Sequence, residues 1–90
     1  MTTKAETAAA VRAARERSDS GEVRLWIVVN DLQSCLQQLT ALDAVLAEQL
    51  RLLVNDLNVK AMMEEEGHAP GPDLVINLAD VRCIADALSA

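Results

Sequence analysis

Few side chains in this sequence have obvious chemical potential. Glu64, Glu65 and Glu66 precede His68, the only histidine in the 90 residues. Carboxylates beside an imidazole are the raw material of an acid–base pair or a metal site. This run, however, abuts Gly67-His-Ala-Pro-Gly-Pro-Asp73, a Gly/Pro loop signal. Catalytic groups need rigid support, so the run reads as a solvated helix end. One loop histidine would also have to serve every Ser-His-Asp or Cys-His scheme. The sequence contains no glycine-rich phosphate motif. The expectation is a protein that is not an enzyme, with no catalytic residue, no cofactor and no metal.

Cys35 and Cys83 stand 48 residues apart, outside any CxxC pair. Free cysteine is among the most buried residue types, so both are expected as small core residues, not as a disulfide or zinc ligands. Arg12, Arg15 and Arg17 form a basic strip near the N-terminus. Residues 1–20 carry four bases and three acids, while 21–90 carry four bases and eleven acids, giving −6 in all. Phosphate binding is driven mainly by Lys and Arg, so nucleic acid is not expected as a general partner. The strip leaves one alternative function open, a transcriptional regulator or accessory factor touching DNA through its N-terminal arm.

The elements that must position these groups are helical. Leu, Ile and Val make up 25 of the 90 residues, yet Trp26 is the only aromatic. Three glycines and two prolines cannot supply the turns of a sandwich or barrel. Glu22 to Glu66 contains neither residue. Within it Leu25, Leu32, Leu39, Leu46 and Leu53 recur every seven positions, with Val29, Leu36, Asp43, Leu50 and Leu57 four residues after each. That period excludes a strand. The flanking positions are largely apolar or neutral, which is too wide a stripe for a two-stranded zipper. The phase also drifts: Val45, Leu52 and Val59 fall on what was the polar face. The segment is either one long helix or a hairpin turning near Thr40, with Thr40 to Asp43 as a capping box and helices of about 18 and 22 residues.

Asp43 has three readings: a helix start, a break in an exposed seam, or a polar register device in a dimer. Trp26 is either core or an interface anchor. Met62 and Met63 are gap-fillers or an adaptable docking patch. Thr3 and Glu6 have capping-box spacing, but the stretch after them holds only alanine and Val11 as apolar residues, so residues 1–20 are expected as a mobile or fraying arm. Asp19 and Glu22 offer a second box. Leu74 to Ile76 is expected as a short extended stretch, and Asn77 as the cap of a final helix over about 78–88.

The predicted fold is all-α: a small helical bundle with a long helix or hairpin over 22–66 and a C-terminal helix, forming one domain over 21–90. Its core is expected to be completed by homodimerisation. The predicted core or interface residues are Leu25, Trp26, Val29, Leu32, Leu36, Leu39, Leu46, Leu50, Leu53 and Leu57. The function expected is a non-catalytic interaction or dimerisation module, chaperone- or adaptor-like. Its partners would be a second copy and another protein. With no apolar leader or membrane-length run, a cytoplasmic location with no membrane partner is the default.

Overall fold

The computed structural model describes residues 3–21, 24–68, 71 and 73–89. They form four helices, α1 (Lys4–Ser20), α2 (Leu25–Leu42), α3 (Ala44–Glu65) and α4 (Asp73–Ser89), with no strand among the described residues. α1 packs on α2 and α4, and α3 packs on the same two, so α1 and α3 lie diagonally opposite. Cross-helix pairs give the directions. Arg17 meets Asp31, Arg24 meets Glu65, and Arg15 donates to the Leu78 carbonyl. Neighbours therefore run antiparallel, as in an up-down-up-down bundle, with overall extents of 39 × 22 × 20 Å.

The long apolar segment is a hairpin, and it turns at Asp43. Thr40 stays inside α2 and donates its hydroxyl to the Leu36 carbonyl. Asp43 is extended (φ −155°, ψ 102°), and its carboxylate accepts the Val45 and Leu46 amides, each at 3.1 Å. One aspartate thus satisfies two of the four amides that a helix start leaves orphaned. It explains how the chain reverses without glycine or asparagine: the helices have the expected 18 and 22 residues, and the cap is Asp43 rather than Thr40.

The N-terminal segment also departs from expectation. Residues 4–20 are a packed helix: Thr7, Ala8, Val11 and Ala14 are buried, the first three completely. The Thr3 hydroxyl accepts the Glu6 amide at 3.1 Å and starts the helix. Gly21 ends it in the left-handed conformation (φ 71°), where a side chain would be strained. Small alanine side chains let α1 approach its neighbours closely, a gain that a count of large apolar residues misses. The core therefore closes within one chain. Part of the core cover expected from a second copy comes instead from α1.

α4 begins earlier than predicted. Leu74 to Ile76 are helical, not extended, and Asn77 is a buried mid-helix residue, not a cap. Asp73 in the first turn suits the positive end of the helix dipole. The second predicted capping box involves Glu22, which lies outside the described residues.

Candidate functional site

The predicted face divides by depth. Leu25, Val29, Leu32, Leu39, Leu50 and Leu57 are buried, while Leu36, Leu46 and Leu53 are partly buried against them. Trp26 is 45% exposed, which corrects its reading as core. Cys83 is exposed as well, also against expectation, and Cys35 is buried. Burial, reinforced by the nearby Asp31 carboxylate, pushes the Cys35 thiol above its ordinary value.

Several of the groups with chemical potential are committed to structure. Glu64 accepts the Leu25 amide at 3.1 Å, and Glu65 pairs with Arg24 at 3.0 Å. Three acids at the end of α3 oppose that helix's own dipole. Two of them, Glu64 and Glu65, lie against the amino end of antiparallel α2, whose N-cap residue Arg24 provides no side-chain cap. His68 is exposed, and no group of three potential metal ligands occurs among the described residues. The N-terminal arginines are paired within the bundle: Arg12 with Asp86, Arg15 with Asp19, and Arg17 with Asp31.

One unassigned apolar surface is the outside of α3. Its core face is Ala47, Leu50, Val54, Leu57 and Ala61, in alternating steps of three and four. Leu52 is two residues from both Leu50 and Val54, about 200° around a helix of 3.6 residues per turn, and so points away from the core. Val45, Leu52 and Val59 repeat at that position every seven residues and are 69%, 55% and 58% exposed. Met62 extends the strip toward Trp26, which lines a cleft with it between α2 and α3. The ten residues of the predicted face include none of Val45, Leu52, Val59 or Met62. The signal for Val45, Leu52 and Val59 was their seven-residue repeat out of phase with Leu46 and Leu53.

Beside the strip runs a groove of about 340 Å³ between α3 and α4, the least closely packed of the four neighbouring pairs. Leu46, Leu53, Ile84 and Ala87 line it, Leu52 forms one edge, and Cys83 opens onto it. Asp56 and Asp80 also line it, and neither forms an ion pair among the described residues. On the outer flank of α3, Arg51 grips Glu48. This holds the Glu48 carboxyl below its ordinary value and the guanidinium above its own. No described helix is long and apolar enough to cross a membrane. In comparisons with known proteins, no family model, no curated protein and no solved structure matches the chain.

Proposed function

We propose that this chain is a non-catalytic protein-interaction module that docks its partner on the outer face of α3 and the adjoining α3–α4 groove. The observation that carries the reading is the second apolar stripe of α3. Val45, Leu52 and Val59 lie opposite a core face that is already complete, so the fold does not use them. Single exposed apolar residues are ordinary, but an aligned row beside an apolar groove is a feature of interaction surfaces. Trp26 and Met62 at one end add an aromatic anchor and an adaptable side chain. A grooved helical face is also the usual seat of a partner helix. No observation favours the DNA-contacting alternative, because Arg12, Arg15 and Arg17 already have carboxylate partners.

Photo-cross-linking tests the proposal. A photoreactive amino acid replaces Leu52 in one version and Glu16, an exposed residue of diagonal α1, in the other. Inside the native host, position 52 is expected to give a discrete cross-linked protein product and position 16 none. Equal products from both positions, or none from position 52, would remove the docking face.

A further inference from the structure

We infer that the α3–α4 groove receives a basic amphipathic helix from a different protein. This inference rests on the docking face proposed above and names its occupant. The floor of the groove is aliphatic, through Leu46, Leu53 and Ile84, and calls for an apolar ridge. On α3 the lining runs from Leu46 to Asp56, about 15 Å at 1.5 Å per residue, which matches about three turns of a docked helix.

Charge selects among the possible helices. Of the eight bases, seven form ion pairs within the chain, and Lys60 alone has none among the described residues. Asp56 and Asp80, from opposite walls of the groove, form no ion pair among the described residues. A second copy of this chain, itself at −6, would bring the same two carboxylates to the interface and only Lys60 as an unpaired base to meet them. A helix with leucine-like residues at i, i+4 and i+7 and lysine or arginine on its flanks would fill the floor and supply both missing cations.

Cys83 gives the readout, since it opens onto the groove while Cys35 is buried. The full-length chain is titrated with a leucine/lysine amphipathic peptide of about fifteen residues, long enough to form the docked turns. The comparison peptide has the same leucines, with glutamate in place of lysine. The lysine peptide is expected to slow Cys83 alkylation in a saturable way, and the glutamate peptide to leave it unchanged. Asp56→Asn with Asp80→Asn should weaken the lysine peptide about five- to tenfold, as loss of two exposed ion pairs would. Glu6→Gln with Glu16→Gln, an equal charge change on α1, should leave its affinity within twofold.

Equal weakening by both double variants would show attraction to net charge alone and overturn the inference. Protection by the glutamate peptide would overturn the basic partner yet leave the docking face standing. Protection that grows with protein concentration, together with a doubled solution mass, would assign the groove to a second copy instead. If no peptide protects Cys83 and cross-linking from position 52 also yields nothing, the docking face itself fails.

Discussion

Asp43 decides where a 45-residue stretch without glycine or proline turns back on itself. Its carboxylate caps α3, and its own amide donates to the Leu39 carbonyl at the end of α2, so one residue closes two helices. Asp43→Ala should lower stability by about 1 kcal/mol in urea unfolding, while Asp43→Asn keeps most of the cap. The sequence pointed to this residue as a polar interruption of an apolar position. It could not separate Asp43 from Thr40 as the cap, because both precede helix-compatible runs. Cys35 supplies a pH signature. Its thiol titrates higher folded than unfolded, so the folded state holds the proton longer. Well below about pH 8.5 the two states bind it equally and stability is unaffected. As pH rises beyond that the unfolded thiol ionises first, and stability falls until the folded thiol ionises too. Cys35→Ala should flatten that alkaline decline in denaturation midpoints measured from pH 8 upward.

Helix ends in this bundle are stabilised by their neighbours. Three consecutive glutamates are unfavourable at the end of α3 taken alone, yet Glu64 and Glu65 serve the start of α2 across an antiparallel corner. Glu64→Ala should therefore destabilise the protein by about 1 kcal/mol, whereas a glutamate removed from an isolated helix end would be stabilising. The sign of the change in urea midpoint separates the two accounts. Such a contact, between residues 39 apart, has no local signature, which is why the run read only as a solvated end. α1 shows the same limit. Its capping residues Thr3 and Glu6 were legible, but the packing of Ala8, Val11 and Ala14 depends on how closely α2 and α4 approach. Small side chains give no periodic signal of that approach.

At the scale of the molecule, four helices enclose one aliphatic core, and α3 carries a second apolar surface that this core does not use. The heptad leucines located the interior of α2 and α3 because burial imposes a helical period on sequence. The outer row was visible in the same letters as a drift in phase. Its meaning depended on knowing that Ala47, Val54 and Ala61, rather than Leu46 and Leu53, complete the core face. Leu50 is fully buried in that core, and Leu52, two residues on, lies outside it. Urea unfolding of Leu50→Ala and Leu52→Ala tests this division most directly. The expected loss is about 2–5 kcal/mol for fully buried Leu50 and no more than about 0.5–1 kcal/mol for exposed Leu52. Comparable losses at the two positions would place Leu52 in the core and contradict the division.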